Sequence, residues 1–462
     1  MTYDLCVVGG GSGGVGAALA ASRRGLHVCL VERGSMLGGT STLGGVNTWE
    51  PGIGGPGFPA ELFRVLTCQP NRIGVSRTIK HWTPAQPWAW SRCEPQHSYQ
   101  RSLRRSGLPP DNWLRVTFEP DALAAALAEL LQATRCVEWR RGSSFIAAET
   151  SGERIHAIVI ESGGRQERVQ ADFFVDATAQ LPLATAVGCQ TYLGCEPVSL
   201  YQEPSAPMTH LDQLNGVTVC LRATPTTSPR VEPLPPHVPA VEWRAPVSIT
   251  EYPGGDLNLN LLPVMEGIEF HRLGDQAGRR LCEIRVYQFW RWLQREHGFD
   301  RYRLQSLFPF TGVREGPRLV GKYVLTENDV RSGCSGQKNA DRWITLADHA
   351  LDVHGEGHLC RELSEPYGVP YDCLLPREYS NLAIACRGAS FSHIAAASCR
   401  LSRTMMQLGH AAGLAVVVAR GAGQQLPEIA VGALQELLRA DDVALDPHDE
   451  RFPCALESPG CV

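Results

Sequence analysis

Apolar and polar positions along this chain follow two periods, and the switches between them outline its elements. Leu5-Cys6-Val7-Val8 is an uninterrupted apolar run, the pattern of a strand buried on both faces. Gly9-Gly10-Gly11-Ser12-Gly13-Gly14 follows at once, then an Ala-rich helical stretch over 15–22. A second apolar run, Val28-Cys29-Leu30-Val31, ends on Glu32. Leu123, Leu127, Leu130 and Leu131 recur at helical spacing behind Pro120 and predict a helix over 120–134. Strand patterns return at 145–148, 155–160 and 173–176, with Gly163-Gly164 placed as a hairpin turn. Between 197 and 246 prolines crowd (Pro233, Pro235, Pro236, Pro239), which predicts extended loops and a domain crossing. Residues 247–250 and 257–261 alternate like strands of a half-exposed antiparallel sheet. A long helix is predicted over 275–297, with Phe289, Trp290 and Trp292 as packing residues. Residues 381–385 read as a strand, 399–419 as a long apolar helix, and 433–440 as a last helix.

Strand, glycine turn, helix, strand and acid is the order a dinucleotide site needs. Gly9 permits the tight turn, Gly11 lets the backbone approach a pyrophosphate, and Gly14 lets helix and strand pack closely. The helix start presents free N–H groups and a positive dipole end to phosphate. Glu32 can accept from a ribose 2′-hydroxyl and repels a 2′-phosphate, which argues against NADP at this site. The expected fold is α/β: a Rossmann-like domain with a mostly parallel sheet and helices, plus a smaller α+β substrate domain with an antiparallel sheet. The nucleotide-binding domain is expected in three parts, 1–66, 115–196 and 371–422. An excursion or cap takes 67–114, the substrate domain 197–370, and a C-terminal helix and tail 423–462.

With 462 residues, 43% of them hydrophobic and 20% charged, the chain can bury a large core. A net charge of −5 makes nucleic acid an unsuitable main partner. The uncharged opening does not read as a signal peptide, because Asp4 stands where a basic region belongs and glycines interrupt the apolar run. No stretch is long and apolar enough to span a bilayer. Sixteen scattered cysteines without a CxxC pair read as reduced thiols of a cytoplasmic enzyme. No metal site is expected; Cys93 with His97 has suitable spacing but lacks a second pair.

The segment 81–99 carries Trp82, Trp88 and Trp90 and is read as an excursion packed on the core, with a cap over substrate as the alternative. This segment and the helix at 433–440 are the candidate contacts of a homodimer. Arg400 and Arg403 fall near the start of the helix predicted over 399–419, where the dipole disfavours cations. An anion held there, either the O2/N1 edge of a reduced flavin or a substrate carboxylate, would remove the conflict; simple solvation is the other reading.

The chain resembles the bacterial FAD-dependent oxidoreductases of the glutathione-reductase-like superfamily, which carry GGGxxG, LVER and GGT. Those motifs stand here at Gly9 to Gly14, Leu30 to Arg33 and Gly38-Gly39-Thr40. The likeness continues at 44–52, 175–178, 312–315, 320–326, 366–371 and 381–419. The resemblance implies FAD as cofactor. Gly9, Gly11, Ser12, Gly13 and Gly14 would cradle its pyrophosphate, and Glu32 with Arg33 its adenosine ribose. Gly39, Thr40 and Ser41 would follow the ribityl and flavin portion, with Ala177 and Thr178 near the adenine half or the pyrophosphate. The block from Arg387 to Arg400 would pass under the isoalloxazine ring. Three departures stand out. Ala179 replaces a usual glycine, so its turn must avoid positive φ. Cys386 also replaces a glycine, as a small buried residue or a redox partner of the flavin. Gly316-Pro317 follows Arg314-Glu315 in place of more polar residues.

The first reading is a dehydrogenase or oxidase that takes a hydride from a small organic metabolite onto the flavin. His393 is the expected base or donor, and Arg314 the expected substrate anchor. No second GxGxxG opens a nicotinamide domain in mid-chain, which ranks a flavin monooxygenase using NAD(P)H and oxygen second. An electron-transfer flavoprotein without its own substrate is the third reading.

Overall fold

The computed structural model describes residues 2–78, 82, 93, 94, 99 and 113–448. Trp88, Trp90 and His97 lie outside the described residues. The chain opens with β1 (Thr2–Val8), α1 (Ser12–Arg23) and β2 (Val28–Glu32). β1 and β2 are parallel, with Val8 opposite Val31. After α2 (Phe58–Thr67) the excursion forms strands Ile73–Thr78, Cys93–Glu94 and Trp113–Phe118, which join Thr48–Trp49 in an antiparallel sheet. Trp82 is fully buried and bridges to Val247, so at this point the excursion packs into the second core.

α3 (Pro120–Thr134) matches the predicted helix, and β3 (Val137–Arg141) extends the parallel sheet beside β2. β4 (Ser143–Ser151), β5 (Arg154–Ser162) and β6 (Arg165–Asp176) follow as hairpins. The β5–β6 turn is Gly163-Gly164 with φ of 56° and 76°, values that glycine adopts without strain. The second half of β6 lies parallel to β1, with Asp176 opposite Val8.

β7 (Cys220–Pro225), β8 (Val247–Glu251), β9 (Leu257–Leu261) and β10 (Tyr302–Leu307) form an antiparallel sheet in the order β8-β9-β7-β10. β7 falls inside the stretch expected to be loop. The prolines that suggested loops lie downstream of it, between 226 and 246, where no strand or helix forms. α4 (Gly267–Glu296) breaks at Gly274 (φ 75°), so its continuous part begins at Asp275 as expected. Phe289, Trp290 and Trp292 are buried in the core they share with Leu257, Leu259 and Leu261. Each such side chain contributes about 2–3 kcal/mol by leaving water. The opposite face of β9 differs from expectation. Asn258 is buried rather than exposed, donating from Nδ2 to Gly45 O (2.7 Å) and bonding Asn47. The polar face of the second sheet is thus docked onto the half built around the parallel sheet.

The chain returns through β11 (Leu382–Ile384), parallel to β6 with Ile384 opposite Asp176. The helix predicted over 399–419 is α6 (Ser402–Ala422); a short helix, α5 (His393–Ser398), precedes it, with Arg400 in the break between them. α7 (Val431–Ala440) buries Val431, Leu434 and Leu438 within the molecule, so its apolar face is occupied. Among the described residues no helix is long and apolar enough to cross a membrane, and none of the cysteines forms a disulfide.

α1 and α6 meet backbone to backbone. A Cβ on Gly13 would stand 1.9 Å from Ala385 O, and one on Gly409 would stand 1.8 Å from Gly13 O. Gly16 and Gly413 are similarly confined by Met406 O and Ala17 O. Gly409→Ala is therefore expected to cost at least about 3 kcal/mol, because backbone cannot yield as a side chain does. Gly421→Ala on the same helix meets nothing within 4 Å and is expected to be neutral or mildly stabilising. Denaturant midpoints of the two variants check this; equal midpoints would refute the packing account.

Candidate active site

The carboxyl ends of β1, β2, β6 and β11 lie at one sheet edge, where α/β folds bind ligands. A cavity of about 450 Å³ opens there, lined among others by Gly11, Ser12, Glu32, Thr40, Thr178 and Arg387. Gly9, Gly13, Arg33, Gly39 and Ala177 also face it. Gly9 holds φ 101°, and a Cβ there would press on Ala177 O at 2.9 Å. At Gly11 a Cβ would meet nothing within 4 Å, so the free space belongs to the cavity. Gly14 serves packing alone: its Cβ would lie 1.7 Å from Gly9 O. α1 begins at this edge without a side-chain cap, leaving its first N–H groups for a ligand.

Glu32 is buried, and its carboxylate already accepts from Gly10 N and Gly34 N, both at 2.6 Å. It ties the glycine turn to the end of β2, and its remaining lone pairs are available to a ribose hydroxyl. Arg33 is more than half exposed, paired with Asp275 at 2.9 Å and placed over the Phe310 ring. Asp176 fixes the turn after β6 by accepting from Thr178 N and Oγ1 and from Leu183 N and Ala184 N. Ala179 avoids positive φ, and the left-handed residue is Leu181 (φ 51°). Cys386 donates to Thr178 O at 2.7 Å, and burial pushes its thiol well above the usual range. It is a neutral, packed thiol rather than a nucleophile.

A smaller cavity of about 150 Å³ shares Thr40, Val313 and Arg387 with the first. Ser41, Arg314 and Arg400 line it, as do Glu50, Arg115, His349, Asp352 and His354, to which the sequence reading gave no role. The signal for part of this group was present: 348–354 places two aspartates and two histidines in a largely apolar stretch. Asn260 and Thr218, joined by a 2.6 Å hydrogen bond, bring the second sheet to the same wall.

The conflict expected at the α6 start is resolved within the protein. Arg403 is fully buried and paired with Asp348, while Arg400 donates to Asp352 O and Oδ2, both at 3.1 Å. No external anion is needed there. Burial opposes ionisation of Asp352, yet the His354 hydrogen bond and Arg400 outweigh it and hold the carboxyl well below its usual range. Burial and Arg314 pull His354 down to about 3, so it is neutral and donates from Nε2 to Asp352 at 2.8 Å. Arg387, bonded to Thr40 Oγ1 (3.2 Å) and Val313 O (2.9 Å), is lowered to about 10 by burial and Arg400, and stays charged at neutral pH.

His393, the expected base, lines neither cavity. It is buried with Nδ1 3.0 Å from Glu315 Oε1, in a network where Arg318 pairs with Glu315 and Glu196. Its backbone N–H is bonded to Glu196 as well, so its position ties the start of α5 to two buried strands of chain. Glu315 is held at about 2: burial would raise it, but His393 and Arg318 prevail.

Two outcomes follow from these contacts. Because the folded pKa of Glu315 lies below its ordinary value of 4.5, its contribution is complete above pH 4.5 and lost as pH falls toward about 2. Glu315→Gln is expected to be less stable than the parent at pH 7 and to show a flatter loss of stability across that window. Urea titrations from pH 7 to pH 2 measure the slopes; parallel curves would refute the assignment. Glu32→Ala strips two buried N–H groups of their acceptor, at about 1–3 kcal/mol each. It is expected to lower stability by that amount, read from the urea midpoint; an unchanged midpoint would contradict the role of these two bonds.

Residues 4–438 match the sequence profile of the family described as FAD dependent oxidoreductase. Over 48 residues the chain is 46% identical to a 4-oxocyclohexanecarboxylate 2-dehydrogenase of Sinomonas cyclohexanicum, a match covering 10% of this chain and 8% of that protein. Among solved structures it is similar to a geranylgeranyl bacteriochlorophyll reductase-like protein from Thermoplasma acidophilum. That likeness has 12% identity and a TM-score of 0.49, over 96% of this chain and 84% of the other. A p-nitrophenol 4-monooxygenase from Pseudomonas putida is similar over 70% of each chain, with 13% identity and a TM-score of 0.42. The profile match spans nearly the whole sequence, so this chain belongs to the FAD-dependent oxidoreductase family.

Proposed function

We propose that this enzyme oxidises a small organic metabolite by two electrons, as a dehydrogenase or oxidase within the glutathione-reductase-like superfamily. The larger cavity is read as the FAD groove. Its open backbone at Gly11, uncapped helix start and buried Glu32 suit a pyrophosphate and a ribose. Gly9, Ser12, Gly13, Ala177 and Thr178 complete that cradle, with Arg33 at the ribose end. Gly39, Thr40, Ser41, Arg387 and Arg400 lead toward the redox end. Bound FAD supplies the electron acceptor for the substrate's hydride.

The observation that carries the reading is His349. It is 8% exposed and lines the smaller cavity, with Nδ1 3.0 Å from Glu50 Oε2 and Nε2 3.8 Å from Asp352 Oδ2, beyond hydrogen-bond reach. A carboxylate only accepts, so the Nδ1 proton is directed to Glu50 and Nε2 is the nitrogen left to exchange a proton with a substrate. That arrangement lets Nε2 take a proton from a substrate while Glu50 steadies the resulting imidazolium. The base role expected at His393 is accordingly assigned to His349. The second sheet is antiparallel throughout and builds no βαβ unit for a nicotinamide dinucleotide, which supports reduction by the substrate itself.

The test is anaerobic spectroscopy of the holoenzyme. NADH and NADPH are expected to leave the oxidised flavin band intact, while a screen of small alcohols, amines and hydroxy acids yields a compound that bleaches it. In His349→Gln that bleaching is expected to slow by about 10²–10⁴-fold, with the acidic limb of the pH profile lost. Rapid bleaching by NADPH would overturn the dehydrogenase reading in favour of a monooxygenase, and an unchanged pH profile would overturn the role of His349.

A further inference from the structure

Four arginines, Arg115, Arg314, Arg387 and Arg400, line the smaller cavity against two carboxylates, Glu50 and Asp352. Those carboxylates are engaged, Glu50 by His349 and Asp352 by His354 and Arg400. Arg387 is engaged too, by Thr40 and Val313. Arg314 differs. It is 9% exposed, and its guanidinium donates from Nη1 to Gly216 O at 2.6 Å but forms no ion pair among the described residues. A buried guanidinium without a counter-ion is costly, and a chain keeps one where a ligand completes the pair. Around it the cavity offers Thr218, Ser248 and Asn260, neutral groups that can hydrogen-bond an oxygen-rich molecule but cannot neutralise a charge.

We infer that this cavity takes a small organic acid, and that the substrate's carboxylate is the counter-ion Arg314 lacks. The planar fork of a guanidinium matches two carboxylate oxygens, which also fixes the orientation of the acid. The remainder of the molecule then lies in the same small cavity as His349 Nε2, within one compartment of about 150 Å³. The electrostatics agree. Burial, with Arg400 as the next contributor, pulls Arg314 down to about 9; it remains charged at neutral pH, and Asp352 offsets only part of the cost. An anion here restores what burial removes.

The inference rests on reading this cavity as the substrate side of the FAD site, and its test is a binding measurement that needs no turnover. Oxidised holoenzyme is titrated with glycolate, lactate and benzoate, and with their amides, following the flavin spectrum and the heat of binding. The acids are expected to bind at least tenfold more tightly than the amides. Arg314→Gln is expected to weaken acid binding by about 30-fold or more, Arg314→Lys by less, and Arg272→Gln, at an exposed pair with Asp212, not at all. Equal affinity for acids and amides in the parent protein would overturn the proposal without recourse to any variant. So would Arg314→Gln binding acids as the parent does while altering sulfite addition to the flavin, since the guanidinium would then serve the cofactor. Acid binding that depends on Arg314 in a protein bleached by NADPH would sustain this inference while the dehydrogenase reading failed. A His349-dependent pH profile without acid binding would do the reverse.

Discussion

Where Gly409 passes Gly13, two helix backbones come so close that neither residue can carry a Cβ, and the rest of the site depends on that approach. It seats the last long helix on the first one and brings residues four hundred positions apart to the same sheet edge. Ala385, at the end of β11, closes over Gly13 in the same contact. Arg387 and Arg400 therefore stand beside Thr40 through packing rather than through local sequence. The glycine turn thus has two functions. Gly11 leaves room for a ligand, and Gly13 and Gly14 leave room for the protein itself.

The second constraint is charge. The interior holds Arg318, Glu196, Glu203, Glu315 and Glu327, all nearly inaccessible to water. Such groups persist only when each is hydrogen-bonded. Here Glu203 receives Glu327 N and Ser392, Glu327 receives Ser205, and Arg318 joins Glu196 to Glu315. The network knits 196–205, 315–327 and 392–393 into one buried unit that follows directly on Arg314 in the chain. Arg314, bonded to a main-chain carbonyl alone, and His349 Nε2, without a hydrogen bond, contrast with this network and line a cavity.

Much of the architecture was legible because period and punctuation agreed. Apolar runs ending on Gly9 and Glu32, the Gly163-Gly164 turn and the leucines of α3 each became the element they imply. β7 was hidden because the prolines that follow it dominate the composition of its neighbourhood. The face of β9 that carries Asn258 was taken for solvent-facing, because alternation shows that two faces differ but not what covers the polar one. The short helix α5 was not foreseen, and α6 starts later than expected, because the apolar pattern runs on through Cys399-Arg400-Leu401. Asp348 and Asp352, which neutralise Arg403 and Arg400, lie some fifty residues upstream, and periodicity carries no information about partners at that separation.

The two histidines show the same limit at the level of chemistry. His393 and His349 are both buried, and both meet a glutamate at 3.0 Å through Nδ1. From sequence, His393 had the stronger claim, since it stands just before the helix that follows the last strand. Yet Ser392 caps that helix by accepting from Ala395 N, and Glu315 is shared with Arg318 and Asn215, so His393 sits inside a structural junction. His349 lies beside a short strand with no motif around it, and its glutamate comes from the loop after Trp49. An imidazole–carboxylate pair is therefore not itself a site. What separates the two is that a cavity reaches His349 and not His393, and that depends on how two sheets dock, which no local pattern records.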